Sequence, residues 1–80
     1  MPVFNDIRAV LAQVFGVPSE KIDRQSSPDT IPAWDSLGHF QLIAALEGRF
    51  TLKFTLREIQ TMDSVARIEA VLAARGIGTP

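Results

Sequence analysis

The 80-residue chain reads as an all-α domain, a four-helix bundle with a long loop between helices 1 and 2 and a short helix 3. Three observations predict it. Apolar residues recur at helical spacing in the long segments and show no sustained alternation of the kind a strand needs. Helix start and stop residues bracket those segments: Gly16 with Pro18, Asp35 with Ser36, Thr55 with Glu58, then Ser64 and Gly76. Finally, there are no repeats, no low-complexity segments and no strand of convincing length.

Helix 1 takes its register from apolar residues at 3, 7, 10, 11, 14 and 15, which predict a helix over Val3 to Phe15, stopped by Gly16. The connection over 17–34 is rich in Ser, Asp and Pro. Loops of that length are uncommon in compact domains unless they serve a function or are pinned to the core. Ile22 and Ile31 are the expected pins, with Trp34 packing at the end of the loop. Glu20, Lys21, Asp23 and Arg24 mix signs and read as a solvated stretch. Helix 2 runs over Ser36 to Phe50, with Leu42, Ile43, Leu46 and Phe50 as its inward stripe. Leu37, Phe40, Gln41, Ala44 and Glu47 share an adjoining face that is less polar than a plain solvated surface. Thr51 to Phe54 reads as an extended linker with Phe54 facing in, and Phe4 and Phe15 also read as core. Thr55-Leu56-Arg57-Glu58 has capping-box spacing and opens a short helix over Leu56 to Thr61. Asp63 or Ser64 caps a last helix over Ser64 to Ala74, with Val65, Ile68, Val71 and Leu72 inward and Gly76 ending it. The expectation is one domain over 1–80.

Composition narrows the function classes. Net charge is −1, which argues against a nucleic-acid partner, since phosphate backbones are bound by basic stripes. There is no cysteine, so a thiol-using function needs a thiol brought from outside. The single histidine, His39, and scattered carboxylates give no metal-ligand cluster. No apolar run is long enough to span a bilayer. Met1-Pro2-Val3-Phe4-Asn5-Asp6 lacks the regions of a signal peptide, so the expected compartment is the cytoplasm.

Ser36 is the residue with two readings. At the first turn of a helix its oxygen can accept from free N–H groups, which is an ordinary capping role. The same place tolerates negative charge, so a phosphate tethered there is electrostatically favoured. His39 lies three residues on and could face Ser36, which raises a serine–histidine nucleophile pair. Against that pair, nothing in the sequence orients the imidazole or supplies oxyanion donors.

The order of helix, long loop, Trp34-Asp35-Ser36-Leu37, amphipathic helix, short capped helix and last helix resembles an acyl carrier protein. Asp35-Ser36-Leu37 matches that family's attachment motif. Leu42, Leu46, Glu47 and Phe50 fall where its second helix has Leu, Leu, Glu and Phe. Phe54, Ile59, Met62, Val65 and Ile68 follow its apolar pattern, and Gly16-Val17 matches the end of its first helix. The resemblance covers roughly residues 5 to 75 without a gap at the motif. It implies a covalent cofactor, 4′-phosphopantetheine, on Ser36, installed from coenzyme A by a separate phosphopantetheinyl transferase that holds magnesium. The cofactor's thiol would carry an acyl or aminoacyl group as a thioester to loading and transfer enzymes. Asp35 would help bind the transferase while capping the helix. Leu37, with Phe40, Gln41, Ala44 and Glu47, would form the docking face. The chain would be a monomer with no catalytic activity of its own.

The chain also departs from the pattern. Fatty-acid carriers have a strongly acidic second helix, and here only Glu47 is acidic in it. Docking is therefore expected to lean on apolar contacts with weak electrostatic steering. Trp34 before the motif and Gly38-His39 after it look more like specialised stand-alone carriers of secondary-metabolite, polysaccharide or lipid-modifying pathways. Gln41-Leu42 resembles carriers that load an amino acid, such as the D-alanyl carrier, and the cargo stays open. Two rivals stand beside this reading. One is a small helical interaction module in which Ser36 is only a cap, the other a small serine hydrolase.

Overall fold

A computed structural model of the chain describes residues 3–77. The expected single domain over 1–80 extends beyond them at both ends, as does the Met1-Pro2 start of the segment judged against a signal peptide. Four α-helices follow in order: α1 Val3–Phe15, α2 Ser36–Phe50, α3 Leu56–Thr61 and α4 Val65–Ala74. A single 3-10 turn, Ser19–Lys21, interrupts the long loop. The described residues contain no strand. The first three helices have the predicted bounds. The fourth starts one residue later, at Val65, because Ser64 is its cap rather than its first helical residue.

The core is a single cluster. Ile7 and Leu11 of α1, Leu42 and Leu46 of α2, and Val65, Ile68 and Leu72 of α4 are fully enclosed, with Met62 between α3 and α4. Each set recurs at three- or four-residue spacing, so each helix offers one apolar stripe and the stripes meet. Phe54 is buried as expected, whereas Phe4, Phe15 and Phe50 are half-buried and pack against the cluster from outside. Val71 is likewise half-buried.

The long loop is fixed at several points. Ile22, Ile31 and Trp34 are buried in the core. Ser26 is buried too, and its hydroxyl accepts the Asp23 N–H at 2.9 Å. The carbonyls of Ser26 and Arg24 accept the N–H groups of Val65 and Ala66, both at 3.0 Å. Those two donors belong to the first turn of α4 and have no partner within the helix. Docking the loop there satisfies loop and helix at once, which is why so long a connection stays ordered. Part of the stretch read as solvated is therefore tied down: Arg24 pairs with Glu69 at 2.8 Å and lies over the Phe4 ring.

The end of α2 is strained. Its C-cap is Thr51 at φ 54°, ψ 55°, a left-handed conformation on a β-branched residue. The end of α4 is relaxed by comparison. Gly76 takes φ 81°, its N–H reaches the Ala73 carbonyl, and the Ile77 N–H reaches Leu72. These two bonds close the helix in the manner of a Schellman motif.

Candidate functional site

The site is built at the junction of the loop with α2. Trp34, 2% exposed, anchors the chain immediately before the helix. Its indole stacks on Phe15 of α1, with ring centroids 5.6 Å apart, and on His39 of α2 at 6.2 Å. Asp35 is then the last extended residue. Its side chain accepts the Gly38 N–H at 2.8 Å, and its carbonyl accepts the His39 N–H at 2.7 Å. Asp35 is thus the N-cap of α2.

Ser36 is consequently not the cap. It is the first helical residue and is exposed, and its hydroxyl makes no hydrogen bond among the described residues. Nor, among those residues, does anything accept the N–H groups of Ser36 and Leu37. The first turn of α2 therefore has an exposed, unbonded hydroxyl and two unpaired donors, an arrangement suited to an anion.

Gly38 makes the close approach possible. A Cβ at this position would overlap the Ala33 carbonyl oxygen and crowd the Phe15 ring, at 3.1 Å. The chain before the helix is packed directly on the helix backbone there.

His39 does not serve as a base for Ser36. Its Nδ1 lies 2.9 Å from Trp34 Nε1, and its Nε2 lies 2.8 Å from the Ile59 carbonyl of α3. An indole nitrogen only donates and a carbonyl only accepts. The neutral ring that fits both contacts accepts at Nδ1 and donates from Nε2, so both nitrogens are committed elsewhere. Among the described residues no group of three or more His, Cys, Asp or Glu side chains is placed to hold a metal ion.

Beside Ser36 a groove of about 530 Å³ opens between α2 and α3. Trp34, Phe40, Leu56 and Ile59 give it apolar walls, and Gln60 and Asp63 supply polar groups. The α3 side of this groove was not singled out in the sequence. Leu56 carried the one usable signal, because a capping box puts it at the first helical position, the same outward register that Ser36 occupies in α2.

Among the described residues, Leu37, Phe40 and Leu56 are the large apolar side chains left in solvent, 68%, 61% and 67% exposed. Gln41 and Ala44 are exposed on the same helix. Glu47 differs from the expectation for a docking residue. Its half-buried carboxylate accepts the Phe54 N–H at 2.9 Å and lies 3.9 Å from the Lys53 ammonium. It fastens the linker after α2. Arg49 is likewise occupied, bonded to Asp6 at 2.6 Å. The charges of α2 are thus matched within the chain.

The groove's outer wall is held by a second cluster. Thr55 and Glu58 form the capping box of α3. Arg75 of the α4 end reaches Glu58 at 2.5 Å and the Lys53 carbonyl at 2.8 Å. The Arg75 hydrogen bond, together with the Thr55 N–H, holds the Glu58 carboxyl down at about 2.

No protein-family model matches the chain. It is 33% identical to acyl carrier protein 3 of Ralstonia nicotianae over 81 residues, covering 96% of this chain and 93% of that protein. Its fold is similar to the solution structure of a holo acyl carrier protein from Geobacter metallireducens, with a TM-score of 0.81 and 34% identity, covering 95% and 91% of the two chains. Identity and near-complete overlap with the Ralstonia protein, together with the shared helical fold, show that the chain belongs to the acyl carrier protein family.

Proposed function

We propose that this protein carries 4′-phosphopantetheine on Ser36 and shuttles an acyl or aminoacyl group, as a thioester, between partner enzymes. The observation that carries the reading is the division of labour at α2: Asp35 caps the helix and leaves the Ser36 hydroxyl exposed and unbonded. A phosphodiester at Ser36 would sit against the free N–H groups of the first turn, where negative charge is stabilised. The bound group supplies the thiol that a chain without cysteine lacks.

The chain's own residues do the rest. Trp34 and Gly38 fix the backbone that presents Ser36, and Asp35 offers a carboxylate beside it to the transferase. Leu37, Phe40, Gln41 and Ala44 form the docking face, with Leu56 added across the groove and Glu47 set back as a structural tie. With α2's charges paired internally, docking rests on apolar contact, and a carrier that must release each partner in turn needs that contact to be weak. The protein acts as a monomeric single domain and a carrier rather than a catalyst. The cytoplasm, where coenzyme A and the transferase meet it, is the compartment this reading requires. Among the described residues no helix is long and apolar enough to cross a membrane.

The test is the intact mass after incubation with coenzyme A, magnesium and a broad-specificity phosphopantetheinyl transferase. The wild-type chain gains one phosphopantetheine and the Ser36→Ala variant none. An adduct mapped to Ser26, Ser27 or Ser64, or no adduct on the wild type, overturns the assignment.

A further inference from the structure

We infer that His39 is a positioning residue that locks the α3 wall of the groove to the Ser36 end of α2, so that Leu37, Phe40 and Leu56 meet partners as one preformed surface. The inference rests on the carrier reading for its functional consequence and on geometry alone for its structural one. Helix α3 has six residues and buries none of them completely. A helix that short does not hold itself together, so its place is set by what grips it. Three grips are visible. Met62, just past its end, is fully enclosed in the core. Arg75 holds Glu58 from the α4 side. Among the described residues, His39 alone reaches it from α2 by a hydrogen bond, through Nε2 and the Ile59 carbonyl at 2.8 Å. Among the described residues that carbonyl has otherwise only a long contact to the Met62 N–H, 3.4 Å.

The other ring nitrogen faces the loop. Trp34 donates to Nδ1 at 2.9 Å, and Trp34 is buried against Phe15 of α1. One imidazole therefore links the residue two before Ser36 to the residue three beyond Leu56. The direction of the bonds matters. Only the neutral tautomer with hydrogen on Nε2 satisfies both partners, and the two bonds polarise one another in the same sense. A half-buried ring held this way cannot swing toward solvent without leaving the indole N–H and a backbone carbonyl short of partners.

The experiment uses the chain's single tryptophan and single histidine, which give unambiguous signals. In the wild-type protein at neutral pH, nitrogen-15 NMR of His39 is expected to show a bare Nδ1 and a protonated Nε2, with a coupling across the hydrogen bond from the indole N–H. The opposite tautomer, or an exchange-averaged pair, overturns the inference whatever the variants do. Two variants then separate the bonds from the stacking. His39→Phe keeps a ring beside Trp34 but removes both nitrogens, and His39→Gln keeps a donor and an acceptor. In His39→Phe the α3 amides should exchange about tenfold faster than in the wild type, while those of α1 change little. With the transferase, KM should rise about three- to tenfold with kcat within about twofold, because a loosened wall weakens docking and leaves the Ser36 hydroxyl intact. His39→Gln should recover part of both effects. Unchanged α3 exchange in His39→Phe would show that the hydrogen bonds position nothing. If the wild-type chain accepts no phosphopantetheine, the carrier reading fails, while the tautomer and exchange results still decide the positioning role.

Discussion

Two helices of this molecule begin with the same pair of residues and use it in opposite ways. Asp35-Ser36-Leu37 opens α2 and Asp63-Ser64-Val65 opens α4, offset by one residue in helical register. At α4 the serine is the cap and its oxygen accepts the Arg67 N–H at 3.1 Å. At α2 the aspartate is the cap and the serine is pushed into the first turn. The surroundings finish the contrast. The first three N–H groups of α4 are all taken, by Ser26, Arg24 and Ser64, whereas those of Ser36 and Leu37 meet no acceptor among the described residues. The residue after each serine follows suit: Val65 is fully buried and Leu37 is 68% exposed. A dipeptide thus does not define a function. The position of the last extended residue decides whether the serine caps or is left exposed, and here buried Trp34 and the close approach of Ala33 to Gly38 set it.

The contrast breaks most sharply on modification. Ser36→Ala should lose all phosphopantetheinylation and change stability by no more than about 0.5 kcal/mol, because it caps nothing. Ser64→Ala should be modified like the wild type yet lose about 0.5–2 kcal/mol, the cost of a cap. Mass spectrometry and urea unfolding on the same two proteins check both halves.

The apolar residues give the next largest effect. Val65→Ala should cost about 1.5–3 kcal/mol, and Leu46→Ala in the core of α2 about 2–5 kcal/mol. Leu37→Ala should leave the unfolding midpoint almost unchanged while slowing transfer to partner enzymes. A Leu37 variant as unstable as the Leu46 variant would mean that α2 is rotated from the orientation described.

The third helix start, Thr55 to Glu58, sharpens the comparison through pH. Its acidic cap partner is bonded to Arg75 and titrates at about 2 in the folded protein, below the ordinary 4.5. A depressed carboxyl contributes stability that is complete above the unfolded value and is lost as pH falls through the folded one. The wild type should therefore be more stable than Glu58→Gln at neutral pH, with the gap closing between about 4.5 and about 2. Paired urea titrations across that window measure it; a gap that widens in acid would contradict the bond. Because the pair is solvent-facing, the difference should be modest.

The smallest effect expected is that of salt. Glu47 and Arg49 of α2 are matched within the chain, so kcat/KM for transfer to a partner should change little from low to high ionic strength. A steep loss would move the docking patch to the acidic residues near the loop, Asp23, Asp29 and Asp35.

Helix periodicity and caps are local signals, which is why the bounds of α1, α2 and α3 could be read from the sequence and α4 missed by one residue. Asp63 and Ser64 were both plausible caps, and only the hydroxyl's bond to Arg67 separates them. The place of Ser36 in the first turn of α2 was legible for the same reason: its neighbours in sequence are its neighbours in space. What stayed hidden involved distant partners. Glu47 read as part of the docking face because its acceptor role toward Phe54 depends on the path of the linker. No orienting partner for the His39 imidazole could be named because Ile59 is 20 positions away. The α3 wall of the groove, Ile59 and Gln60 above all, came into view only when two helices were set side by side.

Thr51 closes α2 in a conformation that a β-branched residue adopts only at a cost, of the order of 1–3 kcal/mol. Glycine or asparagine would occupy the same angles more easily. The helix that presents Ser36 therefore sits below the firmness its fold could reach, with the slack at its far end. A single substitution there would stiffen the helix without touching any residue assigned to docking or attachment. That makes position 51 a dial for asking how much compliance a shuttle needs when several dissimilar enzymes must each seize it and let it go.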